Sequence, residues 1–393
     1  MKVLINMPLA EQRGGGEMML LDLIRQGRDL DVEWLVIFLE DGPMVEQVRA
    51  LGVDARVVDS GRLREIHRFI LSIIRIAAIA RREKVDMIVN WMWITHILGG
   101  LSAFLTGKPA IWYQLEVPYD RSLLVRLSTL IPARAVVTLS KDGQKAQSQI
   151  FPYRATPLVY PGVELNRFNP ANLPSQEEAR QKLGLPNTGI LVGIVGRLQR
   201  WKGMHVVVDA MPQVLQKYPD AHCVIVGGQH AFEPEYEDFL KDQIVALGLQ
   251  EKVIMAGLQQ NVPEWVQAMD IFIHASDREP FGIVIIEAMA LGKAVIAGDA
   301  GGPTEIITNN VNGLLTPYGD SDALSHAILR YLDDSEFACH VGIAARERAL
   351  EFSTRNYAKN FVEIINSLLQ EVPRLAGSKD VASIPYFSSK SGK

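Results

Sequence analysis

Short apolar runs alternate along the chain with longer segments in which apolar residues recur every three or four positions. In the first half, seven runs predict β-strands: KVLIN, EWLVIFL, DARVV, DMIVN, AIWY, AVVTL and PLVY. Helical periodicity falls between them, over residues 16–28, 43–51, 64–84, 95–105, 121–130 and 141–150. Strands that alternate with helices predict a parallel sheet with helices on both faces.

A loop-rich stretch from Pro161 to Gly189 interrupts this alternation, which then resumes. The second half contains the strand-like runs ILVGIVG, HCVIVG, KVIMAG, DIFIHAS and AVIAG, and its last helical segments cover 321–332, 334–352 and 355–371. We therefore predict an α/β protein with two doubly wound, Rossmann-like domains that face each other across a cleft. The predicted domains are 1–165 and 166–354, with a helix at about 355–372 packed back on the first domain and a disordered tail at 373–393.

Composition narrows the function classes. The chain has 393 residues, of which 48% are hydrophobic and 22% charged, and its net charge of −5 gives no reason to expect a nucleic-acid partner. Cys223 and Cys339 are too few for a disulfide scaffold and lack metal-ligand spacing, which favours a reducing, cytoplasmic location. The first residues, MKVLINMP, are interpreted as a strand rather than a signal peptide, and no uncharged run approaches the roughly 20 residues of a membrane span.

Three glycines, Gly14 to Gly16, lie where the first predicted strand leads into a helix. Glycines at such a junction let backbone N–H groups approach an anion at the helix N-terminus. A flexible turn before an amphipathic helix explains them equally well. The stretch has neither the spacing of a dinucleotide fingerprint nor the ending of a P-loop.

Two cations, Arg197 and Lys202, follow the predicted strand that ends at Gly196. Residues that follow a strand of a parallel sheet lie at its carboxyl end, where such sheets bind ligands. The planar guanidinium of Arg and the compact ammonium of Lys together suit a diphosphate. Two solvated surface cations are the alternative, and Arg200 competes with Arg197 for the role.

The stretch REPFGIVIIEAMALGKAVIA contains one charged residue, Glu287, between Phe281 and Gly292. Pro280 favours the first turn of a helix, so Glu279 is expected at the helix entrance. The first N–H groups of that helix would be unpaired and would attract negative charge. A ligand with vicinal hydroxyls would satisfy the carboxylate of Glu287. The alternative is a helix cap at Glu279 and a solvent-facing Glu287.

In this order, the motifs resemble those of retaining GT-B glycosyltransferases, and among these of glycosyltransferase family 4 (glycosyl transferases group 1). The matching stretches are GGGE, YPGVELNRF, VGRLQRWKG, VIVGG, VIMAGLQQ, DIFIHASDREPFGIVIIEAMALGKAVIA, GGPTEII and NGLLTP. The resemblance implies transfer of a hexose from a nucleotide-diphosphate sugar, with a UDP-sugar as first choice and a GDP-sugar as second. The acceptor would be a hydroxyl of a glycan, a lipid or a small molecule, and neither a cofactor nor a metal would be required.

The same resemblance implies a role for each residue. Glu279 would contact the donor sugar, Arg197 and Lys202 would neutralise the diphosphate, and Glu287 would bind the ribose. The full implied donor-binding set is Gly15, Gly16, Gly257, Leu258, Phe281, Gly282, Ile283 and Glu287, with the base near Gly257 and Leu258. No protein nucleophile is implied, because in retaining enzymes of this type a donor phosphate oxygen is thought to take the acceptor proton.

The sequence departs from the family in the predicted first domain. Many relatives carry a histidine at the position where this chain has Leu115, between Gln114 and Glu116. We expect Gln114, Glu116 or His96 to line the sugar and acceptor site instead. The departure also leaves open a non-catalytic nucleotide-sugar-binding GT-B module, and a sugar-nucleotide epimerase shares the fold.

The segment 61–84, GRLREIHRFILSIIRIAAIARREK, is apolar on one side and carries six arginines. Such a helix suits the surface of an anionic bilayer, which would give the protein a peripheral position at the inner face of the cytoplasmic membrane. A core helix with its arginines directed outward is the alternative.

Overall fold

The computed structural model describes residues 1–12, 14–61, 65–119 and 123–370. They form two compact units, one made of Met1–Val159 and the chain from Lys359 onward, the other of Tyr160–Ala358. Each unit contains one six-stranded sheet in which all neighbouring strands are parallel. The predicted α/β class with two doubly wound sheets is confirmed. The predicted tail at 373–393 lies outside the described residues.

The first unit alternates strands and helices along its chain. Their bounds are β1 (Lys2–Met7), α1 (Gly15–Gln26), β2 (Glu33–Phe38), α2 (Pro43–Ala50), β3 (Asp54–Val57), α3 (Ile66–Arg82), β4 (Met87–Trp91), α4 (Met92–Thr106), β5 (Ala110–Gln114), α5 (Leu123–Leu130), β6 (Ala135–Thr138) and α6 (Lys141–Ser148). The sheet order is β3-β2-β1-β4-β5-β6. Strands β4, β5 and β6 are buried along their whole length, which is why they appear in the sequence as unbroken apolar runs.

The predicted strand PLVY is wrong. The chain there makes isolated bridges to β6, from Ala155 to Ala135 and from Leu158 to Thr138, instead of a continuous ladder. Pro157 has no N–H group to donate, so a ladder cannot continue through it. Its carbonyl still accepts from Thr138 N–H at 2.9 Å, which holds the segment beside the sheet as a connection.

The second unit repeats the same plan. Its elements are α7 (Gln176–Leu183), β7 (Leu191–Val195), α8 (Met204–Lys217), β8 (His222–Val226), α9 (Tyr236–Ala246), β9 (Val253–Gly257), α10 (Val262–Ala268), β10 (Ile271–His274), α11 (Ile283–Ala290), β11 (Ala294–Gly298), α12 (Pro303–Ile306), β12 (Leu314–Thr316), α13 (Ser321–Asp333), α14 (Ser335–Ala349) and α15 (Thr354–Gln370). The sheet order is β12-β11-β10-β7-β8-β9. Sequence analysis did not predict β12, because three residues are too few to show a strand period.

Helix α15 begins in the second unit, and its residues from Lys359 to Gln370 belong to the first. Its Phe361 packs against Trp91 and Tyr113, with ring centroids 6.1 and 5.1 Å apart. All three side chains are buried. This aromatic contact attaches residues 359–370 to the first unit.

Both sheets reverse their strand order at an internal point. In the second unit, the chain proceeds from β7 to β8 and β9 on one side, then returns to add β10, β11 and β12 on the other. This reversal falls between β7 and β10, and open α/β sheets bind ligands at the carboxyl ends of the strands at such a point. In the first unit, the same reversal falls between β1 and β4.

Helix α3 has two apolar faces. One face, with Ile73, Ile76 and Ala80, is buried in the core together with strands β1, β2 and β4. The other leaves Ile66, Ile70 and Ile74 between 51% and 67% exposed. The interpretation of 61–84 as a core helix explains the buried face. It does not explain why three isoleucines on the other face are exposed. In the parts of the chain that the structure describes, no helix is long and apolar enough to cross a bilayer.

Candidate functional site

Three loops meet at the carboxyl ends of β7, β10 and β11. The loop after β10 is bonded through its backbone to both neighbours. Asp277 N–H donates to the Trp201 carbonyl at 2.8 Å, and Gly302 N–H donates to the Glu279 carbonyl at 2.8 Å. The cationic motif after β7, the acidic motif after β10 and the glycine pair after β11 are thus parts of one braced surface.

Gly203 allows the β7 loop to approach the β10 loop. Its φ is +75°, in the left-handed region that favours glycine, and a Cβ there would lie 2.1 Å from the Ala275 carbonyl oxygen. A short 3-10 turn, Arg200–Lys202, immediately precedes it. The close approach therefore sets the position of Lys202.

Lys202 and Glu279 form a largely buried ion pair. The Lys202 ammonium lies 2.6 Å from Glu279 Oε2, and each side chain is 14% exposed. His274 Nε2 lies 3.2 Å from the same oxygen. Burial by itself disfavours the ionised form of Glu279, but Lys202 and His274 more than offset it, so the pKa of this carboxyl lies well below its usual range. Glu279 is therefore a carboxylate at neutral pH.

Helix α11 begins later than predicted. The prediction that Pro280 occupies its first turn is wrong, because the helix starts at Ile283 with Gly282 as N-cap at φ +104°. The Glu279 carbonyl, which would accept the first helical hydrogen bond from Ile283, accepts from Gly302 instead. The N-terminus and its positive dipole end consequently lie at Gly282 and Ile283.

The other two residues of this motif have different environments. Phe281 precedes the helix, and its buried ring packs against Tyr160 and Phe352, with centroids 5.6 and 5.7 Å apart. Its side chain anchors the segment, and its N–H lies outside α11. Glu287 is half-buried on α11, one turn after Ile283. Its binding to a ribose stays a prediction.

The structure separates the two competing arginines. Arg200 lies over the ring of Phe239, at 4.5 Å from its centroid, and its backbone N–H donates to Glu233 at 2.7 Å. Arg197 is exposed, with Nη1 3.4 Å from His230 Nε2. Arg200 is thus held by α9 and the loop before it, while the guanidinium of Arg197 remains open to solvent.

The predicted base-binding residues lie at the end of β9. Gly257 ends this strand, and Leu258 after it is 82% exposed. Leu258 approaches Gly228, in the loop after β8, where a Cβ would lie 3.0 Å from Leu258 Cβ. In the same loop Phe232 is 87% exposed. Two large apolar side chains at the carboxyl ends of β8 and β9 therefore face solvent, where a flat aromatic ligand can stack.

In the first unit, the predicted glycines open helix α1. Gly15 and Gly16 stand in its first turn, where N–H groups lack intrahelical acceptors. Gly16 is also closely packed, since a Cβ would lie 2.7 Å from Leu115 Cδ1 and 2.8 Å from Met92 Cε. Trp91 Nε1 donates to its carbonyl at 3.1 Å. The role of both glycines toward a donor stays a prediction.

The three residues expected at the acceptor site differ in exposure. His96 is buried, stacks on Trp112 at 4.6 Å, and has Nε2 3.1 Å from the Ser128 carbonyl. Burial lowers the pKa of His96 to about 4. The expectation that His96 lines an open site is therefore wrong, because its ring is part of the core. Gln114 is also buried, at the end of β5, and Glu116 is exposed.

The second unit contains the part of the chain that matches a known protein family. Residues 175–348 match the family described as "Glycosyl transferases group 1". A D-inositol 3-phosphate glycosyltransferase of Corynebacterium urealyticum is 33% identical over 217 residues, covering 54% of this chain and 51% of that protein. The lipopolysaccharide core biosynthesis mannosyltransferase LpsB of Rhizobium meliloti is 30% identical over 203 residues, covering 51% and 56%. The chain thus spans about half the length of these relatives.

Solved structures match over nearly the whole chain. Anabaena HepE in complex with UDP and glucose superposes with a TM-score of 0.83 at 26% identity, covering 93% of this chain and 100% of that one. A glycosyltransferase of Rickettsia africae gives 0.82 at 22% identity, covering 94% and 99%. The chain has the GT-B fold. The predicted fold class is confirmed.

Sequence reasoning missed two histidines of this GT-B protein. His274 ends β10 beside Glu279, and His230 stands beside Arg197 in the loop after β8. For His274, the sequence did hold a signal. In DIFIH a polar residue ends an apolar strand, at the end where α/β sheets bind ligands. Among the described residues, no group of three or more His, Cys, Asp or Glu side chains is placed to bind a metal ion.

Proposed function

We propose that the protein is a retaining family 4 glycosyltransferase that moves a hexose from a nucleotide-diphosphate sugar to a hydroxyl acceptor. The observation that carries the proposal is the buried Lys202–Glu279 pair at the reversal point of the second sheet, beside the N-terminus of α11. The anchored carboxylate would contact the sugar, and the positive charge would stabilise the leaving phosphate.

The positive groups would act on the leaving diphosphate. Cleavage of the bond from the anomeric carbon to the phosphate oxygen places negative charge on the diphosphate and positive charge on the sugar. Lys202, Arg197 and the first-turn N–H groups of α11 would stabilise that charge as it develops. In this proposal they replace a metal ion.

Glu279 would act as a carboxylate that contacts the sugar, and not as a nucleophile. Lys202 and His274 share one of its oxygens and hold its pKa low. A carboxylate with a low pKa whose charge is already compensated is a weak nucleophile. The weak nucleophilicity of Glu279 supports a mechanism that retains the anomeric configuration without a covalent enzyme intermediate. In this mechanism the acceptor attacks the face that the leaving group occupies, and a donor phosphate oxygen takes the acceptor proton.

A UDP-sugar is the first donor choice and a GDP-sugar the second. The support is the similarity to HepE, whose solved complexes contain UDP and UDP-glucose. Leu258 and Phe232 would stack the base, and Glu287 would bind the ribose hydroxyls. The acceptor remains a hydroxyl of a glycan, a lipid or a small molecule.

A peripheral membrane contact through 61–84 belongs to the same proposal. Ile66, Ile70 and Ile74 form an exposed stripe at four-residue spacing, and Arg75 is exposed on the same helix. Such a helix inserts its apolar stripe among acyl chains while arginine meets lipid phosphates. Co-sedimentation with anionic liposomes at low and high salt tests it, and absence of binding at low salt would remove the idea.

The donor is tested with a thermal-shift panel of nucleoside diphosphates and their sugars, since a ligand that binds the native state raises its stability. Transfer from radiolabelled donors is then measured in the presence of a chelator. Glu287→Ala should mainly weaken donor affinity, and Glu279→Ala should mainly lower kcat. Glu251→Ala, at an exposed position before β9, is the matched control. Binding without turnover across several acceptors would instead favour a non-catalytic module.

A further inference from the structure

His274 brings a third polar group to the Lys202–Glu279 pair. It is the last residue of β10 and is buried, as is Ser276 two residues later. His274 Nε2 lies 3.2 Å from Glu279 Oε2 and 3.2 Å from Ser276 Oγ. Since Lys202 Nζ lies 2.6 Å from the same Oε2, one carboxylate oxygen receives both cationic and imidazole partners.

The hydrogen-bond pattern indicates the tautomer of His274. Its Nδ1 is buried without a hydrogen-bond partner among the described residues. Nε2 faces a carboxylate, and an N–H donated to an ionised acceptor makes a stronger bond than one between neutral groups. A proton on Nδ1 would leave a buried donor unpaired and turn a lone pair toward Glu279. The geometry therefore favours the Nε2–H form, which donates to Glu279.

Lys202 has two tasks that compete. In the structure its ammonium pairs with Glu279, and in the proposed function it also meets the donor diphosphate. When the ammonium turns toward phosphate, Glu279 loses part of its compensation while its side chain stays 14% exposed. A buried carboxylate without a partner is strongly disfavoured. Another group must then hold it.

We propose that His274 is a positioning residue that holds the carboxylate of Glu279 in place when Lys202 engages the donor diphosphate. Lys202 reaches Glu279 through a flexible four-carbon chain from a short turn. His274 reaches it from a strand that is paired on both sides, with β7 and β11. The inference rests on the proposed function, since it assigns a partner to the residue proposed to contact the sugar.

Two substitutions separate positioning from packing. His274→Gln keeps an N–H donor near the position of Nε2, whereas His274→Leu fills the space without one. Misplacement of a reacting group by about 1 Å lowers rates by up to about 100-fold. We expect kcat to fall by about 10- to 100-fold in His274→Leu and to stay within about 3-fold of the parent in His274→Gln. A packing role would favour leucine or affect both equally.

Binding of the nucleoside diphosphate without sugar provides the second readout. Its affinity should fall by more than about 3-fold in His274→Leu and stay within about 3-fold of the parent in His274→Gln, because Lys202 can turn to the diphosphate at low cost only while another donor holds Glu279. The thermal midpoint of each variant shows that it folds. His222→Leu, at the start of β8 and thus at the opposite end of the same sheet, is the control and should leave kcat unchanged.

A spectroscopic measurement on the unmodified chain complements the variants. The protein has 8 histidines, so the 15N signals of His274 are assigned by their loss in His274→Gln. Nε2–H signals with and without UDP support the proposal, and an Nδ1–H tautomer overturns it. Equal kcat in His274→Leu, His274→Gln and the parent also overturns it. If the parent binds no nucleoside diphosphate, the proposed function fails, and the positioning role fails with it.

Discussion

Substitution of Gly203 by alanine should destabilise the second unit through two separable effects. The first is backbone strain, because alanine must adopt φ +75°, which costs about 1–2 kcal/mol. The second is steric, because the new Cβ would lie 2.1 Å from the Ala275 carbonyl oxygen, far inside the 3.4 Å of ordinary contact. Moving the two loops apart costs about a further 1–3 kcal/mol, as in other overpacked sites.

Gly184→Ala separates these two effects. Gly184 is in the same unit, at the end of α7, with φ +67° and no atom within 4 Å of a Cβ. It therefore carries the strain without the contact. In urea unfolding followed by tryptophan fluorescence, Gly203→Ala should lose about 1–3 kcal/mol more than Gly184→Ala. Since the contact positions Lys202, only Gly203→Ala should also weaken binding of a nucleoside diphosphate.

Equal losses in the two variants would refute the reasoning. They would mean that the Ala275 carbonyl does not press on Gly203 in solution and that the β7 and β10 loops are not braced as described. If Gly203→Ala loses more stability than Gly184→Ala but binds the nucleotide with unchanged affinity, the contact with Ala275 exists but does not position Lys202.

Three further predictions concern His96, the two cysteines and Tyr160. Burial lowers the pKa of His96 from 6.5 to about 4, so the unfolded chain binds the proton first. Stability should therefore fall by up to about 3 kcal/mol as pH drops from 6.5 to about 4, and His96→Phe should flatten that dependence in unfolding measured across this range. Cys339 is exposed and should react rapidly with a thiol reagent, whereas Cys223 is buried, with a pKa raised to about 12, and should react only after unfolding; two rapid thiols would contradict this. Tyr160 OH donates to Glu305 at 2.8 Å, so Tyr160→Phe should lower stability by about 1–3 kcal/mol in thermal unfolding, and an unchanged midpoint would contradict the bond.

Much of the fold was predictable because buried parallel strands leave a simple pattern. A strand such as AVIAG is apolar throughout, since both faces of its sheet are covered. The exceptions have local or tertiary causes. Pro157 breaks the ladder at PLVY, and β12 is too short to show a period. The start of α11 depends on Gly302, which takes the Glu279 carbonyl from a segment more than twenty residues away in sequence.

The sequence predicts where the candidate site residues lie along the strands, but it does not predict which of them contact each other. Arg197, Lys202 and Glu279 follow strands, so their place at the carboxyl ends could be inferred from the alternation alone. The pairing of Lys202 with Glu279 could not, because it requires β7 and β10 to be neighbours, and only the crossover of the chain makes them so. His96 failed for a related reason, since the sequence does not show which face of α4 is packed against β5.

The pairing of Lys202 with Glu279 has a consequence for how an anionic donor would bind in the proposed function. The two charges compensate each other in the free protein, so the initial attraction must come from Arg197 and the N-terminus of α11. Arg197 is exposed, and its attraction is therefore screened by salt, whereas a largely buried ammonium is screened much less. Salt should consequently slow donor capture more than it weakens the bound complex. In the proposed function, Lys202 exchanges its carboxylate partner for a phosphate between capture and the bound complex. By our proposal, the imidazole of His274 would make that exchange less unfavourable, because it would keep Glu279 paired throughout.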